Sequence, residues 1–340
     1  MFKYSKYKIK PKTSFFPLKL ILIAIILVGL TNSCRTESKQ KVLKLAHGLD
    51  QTHPVHRGMV LMAEKVAQKS GGRLQLKIYP GGQLGAEREC VELLQIGSLA
   101  ITKVSAAIME GFVPEFRVLG LPYIFRDQDH AWQVLNGDIG KELLVKGDEF
   151  NLRGLCFYDA GSRSFYTKEK PVNKPDDLRG LKIRVMKSNT AVEMVKALGG
   201  SPTPISWGEL YTALQGGVVD GAENNPPSFY LSHHYEVCKY YSLDEHTSVP
   251  DVLLVSSIVW GKLSPDEKRW LQEAADESVP YQREFWAESV QEALSEVANA
   301  GVEILHPDKA PFVEKVNDMI EGYSSDKELY SLISRIREVK

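Results

Sequence analysis

Two short stretches carry the residue types that could do chemistry: Lys182-Ile183-Arg184-Val185 and, further on, Val219-Asp220-Gly221-Ala222-Glu223-Asn224-Asn225-Pro226-Pro227. The first reads as a strand with an arginine near its end. The second closes on an acid, two amides and a proline pair. Arginine presents a planar fork of donors that matches a carboxylate in bidentate fashion, and asparagine adds an orienting hydrogen bond beside it. A strand-end arginine buried with no acid of its own is costly, and a ligand carboxylate at Arg184 removes that cost. No Gly-x-Ser-x-Gly, nucleotide-binding glycine loop or HExxH accompanies the pair, and no nucleophile sits beside a base. His233, His234, Cys238 and His246 lack the spacing of a zinc site. The residues are suited to holding a small carboxylate rather than transforming it, with no enzyme activity, cofactor or metal expected.

The elements that must position these groups alternate in type. Val42 to Ala46, Leu74 to Tyr79 and Ala100 to Val104 read as strands, separated by helical patterns over His56 to Lys69 and Glu87 to Ile96. Leu155 to Tyr158, Ser164 to Thr167, Lys182 to Val185 and Val218 to Ala222 continue the rhythm, with helices at Thr190 to Leu198 and Ser206 to Gln215. Ser206 stands as a cap with Glu209 three residues on. This alternation gives an α/β class. A mature chain of about 300 residues exceeds the usual single core, so two lobes are expected. Ser264-Pro265-Asp266-Glu267 is a strong helix start, with a cap, a proline in the first turn and acids at the positive dipole end. Helical spacing then continues to Ala300. Pro280 near the middle removes a backbone donor and kinks the helix. The expectation is one long, lobe-spanning helix, against the alternative of two helices broken at Pro280.

Residues 1–33 read as a leader rather than as part of the fold. Six lysines and no acids precede or border an apolar run from Leu20 to Leu30, which is too short to span a bilayer but has the length of a secretory core. Leu30-Thr31-Asn32-Ser33-Cys34 resembles a lipobox, which makes Cys34 the first mature residue and a lipidation site that could tie the protein to the membrane. Ordinary cleavage and an uncleaved anchor are the alternatives. Arg35 to Lys41 is a polar tether. Of 42 basic and 43 acidic side chains, the mature chain keeps 36 and 43, a net charge of about −7, which argues against a nucleic-acid surface. Cys90, Cys156 and Cys238 are either buried free thiols or one disulfide with a thiol left over.

Four further residues stand where a cleft collects polar groups. Glu87 opens a helix after the Gly81–Gly85 turn and either favours the helix N-terminus or accepts hydrogen bonds from ligand hydroxyls. His53, before Pro54, is on the first loop after a strand, as a cleft residue or an exposed turn residue. Ser105 at a strand end and His246 after Asp244-Glu245 complete the set.

Taken in order, several motifs resemble one family. They are Gly81-Gly82-Gln83-Leu84-Gly85, Leu121-Pro122-Tyr123-Ile124-Phe125-Arg126, Leu178 to Val185, Glu209 to Gln215 and Val219 to Asn224. Together they are similar to the extracytoplasmic solute-binding proteins of tripartite ATP-independent periplasmic (TRAP) transporters. The resemblance runs from about Val42 to the last helices. It implies a two-lobed periplasmic-binding-protein fold with crossing hinge strands, and a long helix kinked near Pro280. One lobe would comprise 42–160 with about 250–280, the other 161–249 with about 281–340. It implies a ligand carboxylate held by Arg184, Arg163 and Asn224, with Trp207 lining the cleft. It also implies a periplasmic location and delivery of ligand to membrane permease subunits. Asn225, where the simpler family pattern has proline, resembles the sugar-acid branch, so the expected ligand is a hexuronate such as glucuronate or galacturonate. The alternatives are a C4-dicarboxylate or keto-acid receptor and, remotely, a secreted enzyme acting on a small acid.

Overall fold

The structure is a computed structural model that describes residues 1–5, 8 and 40–340. Cys34 and nearly all of the expected leader and tether lie outside the described residues. Lys41, read as tether, opens the first strand.

The chain runs β1 (Lys41–Ala46), α1 (Pro54–Ser70), β2 (Leu74–Tyr79), α2 (Glu87–Gln95), β3 (Ile101–Ser105) and the single turn α3 (Ala106–Met109). Helices α4 (Gln128–Asn136) and α5 (Asp138–Lys146) lead to β4 (Leu152–Tyr158). Next come β5 (Arg163–Thr167), β6 (Lys182–Val185), α6 (Asn189–Ala197), β7 (Ser201–Pro204), α7 (Leu210–Gln215), β8 (Gly221–Asn224) and α8 (Pro226–Leu231). The remainder is β9 (Tyr240–Thr247), β10 (Asp251–Ser256), α9 (Ser257–Gly261), α10 (Pro265–Asn299), β11 (Glu303–Leu305), α11 (Ala310–Glu321) and α12 (Lys327–Glu338).

Two sheets result. The first has the order β2-β1-β3-β10-β4 and the second β11-β9-β5-β8-β6-β7. Strands linked through helices pair in parallel, as β1 does with β2 and β3, and β6 with β7 and β8. Strands β5 and β10, each entered from the other sheet, pair antiparallel with both neighbours. The chain passes from β4 to β5 through residues 159–162 and returns from β9 to β10 through 248–250. These crossings touch, with Ser162 Oγ 3.0 Å from Ser248 Oγ.

Helix α10 ties the two halves together. It is continuous over 35 residues with Pro280 inside, about 52 Å at 1.5 Å per residue. Its start carries the expected Ser264 cap, and Glu267 completes it as a capping box: Glu267 N–H donates to Ser264 Oγ at 3.2 Å, and Ser264 N–H to Glu267 Oε2 at 2.8 Å. Leu271, Ala274 and Ala275 pack with Val55, Met59 and Met62 of α1. Val297, near the other end, joins the second-sheet core of Leu214, Phe229 and Tyr241. Two residues past Pro280, buried Gln282 accepts from Asp159 N–H and donates to Asp159 C=O, both at 2.8 Å, so the helix grips the first crossing by its backbone. Helix α12 packs against Pro114–Gly120 and α5, which puts the chain's end on the first half.

Cys90, Cys156 and Cys238 are buried and free. Two local expectations shift. Ser206 makes no side-chain cap bond, and Trp207–Glu209 forms a 3-10 turn before α7. Strand β8 is Gly221–Asn224 rather than Val218 to Ala222. There Gly221 packs so closely on β5 that an added Cβ would lie 2.4 Å from Tyr166 O, so the pairing begins at the glycine.

Candidate functional site

A cavity of about 470 Å³ lies between the two sheets, within the range that small-molecule sites occupy. Its polar walls come from strand ends and the loops after them, where open α/β sheets place ligands. The Gly81–Gly85 turn reaches it because Gly81 and Gly82 take φ of 61° and 72°, left-handed backbone that glycine adopts freely. That turn delivers Glu87, the first residue of α2, to the wall.

Arg184 is buried near the end of β6. Its Nε donates to Ile205 O at 2.8 Å, and its buried Nη1 has no partner. Its Cζ lies 5.9 Å from the Trp207 ring, within cation–π reach. Burial lowers its pKa from the ordinary arginine value, with Tyr166 and Glu223 opposing. Among the described residues lining the cavity it is the buried cation with no carboxylate bound to it.

Arg163, the first residue of β5, is the opposite case. Its Nε donates to Glu223 Oε2, Nη2 to Glu223 Oε1 at 3.0 Å and Glu223 O at 2.8 Å, and Nη1 to Asn224 Oδ1 at 2.7 Å. Of its five N–H donors, one on Nη1 remains. Burial would lower its pKa, but Glu223 outweighs that and raises it. Burial would raise Glu223, yet Arg163 and His246 hold it down at about 2.

Asn224 Oδ1 also accepts from Asn225 N–H at 2.9 Å, and Asn225 Oδ1 caps α8 by accepting from Ser228 N–H at 2.9 Å. Both amides therefore keep their NH₂ groups for the cavity that they line. His53 caps α1, with Nδ1 accepting from Val55 N–H at 3.2 Å. That places its proton on Nε2, 3.3 Å from Ser228 Oγ of α8. Burial, and then the charge of Lys103, push its pKa well down, so it is a neutral donor. Ser105 caps α3 through its oxygen, accepting from Ala107 N–H at 3.4 Å, and its O–H is left to donate.

Residues 45–326 match the bacterial extracellular solute-binding proteins, family 7. The chain belongs to that family. A TRAP periplasmic solute-binding protein from Bradyrhizobium sp. BTAi1, solved in complex with α/β-D-galacturonate, is 39% identical with a TM-score of 0.86, over 88% of this chain and 100% of that one. Another from Roseobacter denitrificans, with bound β-D-glucuronate, is 35% identical with a TM-score of 0.86, over 88% and 100%. The Salmonella typhimurium protein YiiZ, uncharacterized, is 38% identical over 303 residues, 88% of this chain and 92% of its own length.

In this family 7 solute-binding protein, Arg184, Arg163, Asn224, Asn225, Trp207, Glu87, His53 and Ser105 all line the cavity. His246 does not, and that expectation is corrected: it is fully buried beneath the Arg163–Glu223 pair. Its Nδ1 lies 2.8 Å from Asp244 Oδ2, and its Nε2 3.6 Å from Glu223 Oε2, an ion-pair distance longer than a hydrogen bond. Burial would lower its pKa, but Asp244 and Glu223 raise it to about 9. Sequence reading missed Lys103, Asp251, Ser228 and Trp286, which also line the cavity. For Lys103 the signal was present, a lysine inside the otherwise uncharged run Ile101-Thr102-Lys103-Val104.

Proposed function

We propose that the protein is the extracytoplasmic receptor of a TRAP transporter for a hexuronate, glucuronate or galacturonate. The single observation that carries this reading is Arg184, a buried guanidinium with an unpartnered Nη1 facing a cavity, in a chain whose solved relatives hold uronates. The ligand carboxylate takes Arg184, the Asn224 amide and the remaining N–H of Arg163. Asn225, Glu87, His53 and Ser105 hold hydroxyls, and Trp207 covers the ring's apolar face. The protein binds and releases its acid unchanged.

The lobes are residues 42–160 with about 250–280, and 161–249 with about 281–340 except the last helix. They close on the ligand about the two crossings, and the closed form docks on membrane permease subunits. The mature protein is periplasmic, tied to the membrane through a lipid on Cys34.

Isothermal titration with uronates, C4-dicarboxylates and keto acids tests this. A uronate is expected to bind, and Arg184→Ala to weaken it at least about 100-fold, as loss of two charge-assisted hydrogen bonds at about 1.5–3 kcal/mol each requires. Heat with dicarboxylates and none with uronates would overturn the ligand. Unchanged affinity in Arg184→Ala would overturn the clamp.

A further inference from the structure

Lys103 stands in the middle of β3 with its side chain buried, yet it lines the cavity. Its Nζ is 3.0 Å from Glu87 Oε1 and 3.2 Å from Asp251 Oδ1. Three elements supply this group: the start of α2, β3 and β10. Two carboxylates share one ammonium, so the group carries one acid in excess. Each carboxylate commits one oxygen to Lys103. Glu87 Oε2 and Asp251 Oδ2 accept no hydrogen bond from any described residue, and both side chains border the cavity. Lys103 has three N–H donors and spends two of them here.

The cavity is therefore electrically lopsided. The second-sheet wall offers Arg184 with no acid of its own, and the first-sheet wall offers acceptor oxygens under an excess negative charge. A ligand with one carboxylate and several hydroxyls matches both walls, its O–H groups donating to Glu87 and Asp251. A ligand with a carboxylate at each end satisfies Arg184 with one and drives the other toward two acids.

Resting on the uronate reading above, we propose that Lys103, Glu87 and Asp251 form a charge filter that admits sugar monoacids and rejects the diacids of the same carbon chain. Lys103 positions the two carboxylates, and their surplus charge is the repulsive element that specificity between such close analogues requires. A like charge set against a partly desolvated acid costs enough to weaken binding by ~100-fold or more.

The test is calorimetric titration of the mature protein at pH 7 with galacturonate, glucuronate, galactonate and galactarate, the six-carbon diacid. Wild type is expected to bind a uronate and to bind galactarate at least ~100-fold more weakly. Glu87→Gln keeps an acceptor and removes a charge, so it should narrow that ratio by tenfold or more. Asp251→Asn is the second variant, should Glu87→Gln unfold, and circular dichroism checks both. Galactarate within tenfold of the best monoacid in wild type overturns the filter. A ratio unchanged in both folded variants also overturns it, because the discrimination is then one of shape. If galactonate binds, both uronates fail and the variants still relax the diacid penalty, the uronate reading falls and the filter stands. If no monoacid binds, both fall.

Discussion

Arg163 and Arg184 border the same cavity, and they differ only in what faces them. Arg163 is answered by Glu223, the adjacent strand's acid, and Arg184 by nothing charged within bonding distance. Behind Glu223, His246 completes a chain that alternates in charge, Arg163, Glu223, His246 and Asp244. The histidine's folded pKa, about 9, is above its unfolded value of about 6.5. Its contribution to stability is thus fully present below pH 6.5 and is lost as pH rises through 9. His47, His53, His56 and His234 are all lowered, so their effect follows the unfolded value and fades by about pH 7.5, and the raised thiols, whose unfolded value is about 8.5, begin to act by about pH 8. His246 adds up to about 1.4 kcal/mol per pH unit across this range, so its share is the difference between the protein with and without it. Melting temperatures taken from about pH 7 to 9 should fall more steeply in wild type than in His246→Asn. Parallel curves for the two proteins would show that the histidine is not held charged by the fold.

At the scale of elements, α10 was the most legible feature and the cavity's acid wall the least. A cap, a first-turn proline and helical spacing on both sides of Pro280 are local signals, and the helix follows them from Pro265 to Asn299. Arg184 was legible for a similar reason, because an arginine set between Ile183 and Val185 near the end of a strand has few structural explanations. For Lys103 the sequence pattern supports only a place in a strand. Its partner Asp251 lies 148 positions away, and a single sequence holds no signal for that pairing. His246 failed for the converse reason, since a polar residue near a sheet crossing suits a cleft and a buried ion chain equally well. Neither did any pattern announce Gln282, whose amide holds both backbone groups of Asp159. Gln282→Leu keeps the bulk and leaves a buried N–H and C=O unpaired, at about 1–3 kcal/mol each. Urea unfolding should show a loss of roughly 2–6 kcal/mol. A loss under about 0.5 kcal/mol, the size of an ordinary surface change, would mean that the crossing is not held by α10. Gly58→Ala presses on the same place, because an added Cβ would meet Gln282 Cβ at 2.8 Å.

For the whole molecule, the contacts that matter most to binding are those that join the halves away from the crossings. The N-terminus of α6, which follows β6 of the second sheet, has orphan donors like any helix start. Ser188 takes the Ala191 N–H at 3.0 Å. The Asn189 and Thr190 N–H groups are both taken by Glu110 Oε1, the latter at 3.2 Å, and Glu110 follows β3 and α3 of the first sheet. A carboxylate at a helix N-terminus is also favoured by the helix dipole. If this bond forms only when the lobes meet, it stabilises the binding-competent form without touching ligand. Removing it lowers affinity by the fraction of closed protein lost. Glu110→Ala should therefore bind the uronate at least about tenfold more weakly, since losing even one of these two charge-assisted hydrogen bonds costs about 1.5–3 kcal/mol. Small-angle scattering should show wild type contracting at a ligand concentration where the variant stays extended, with both reaching the same radius at saturation. Equal affinity and equal contraction would mean that the Glu110 contact persists in the open form and contributes to the fold alone.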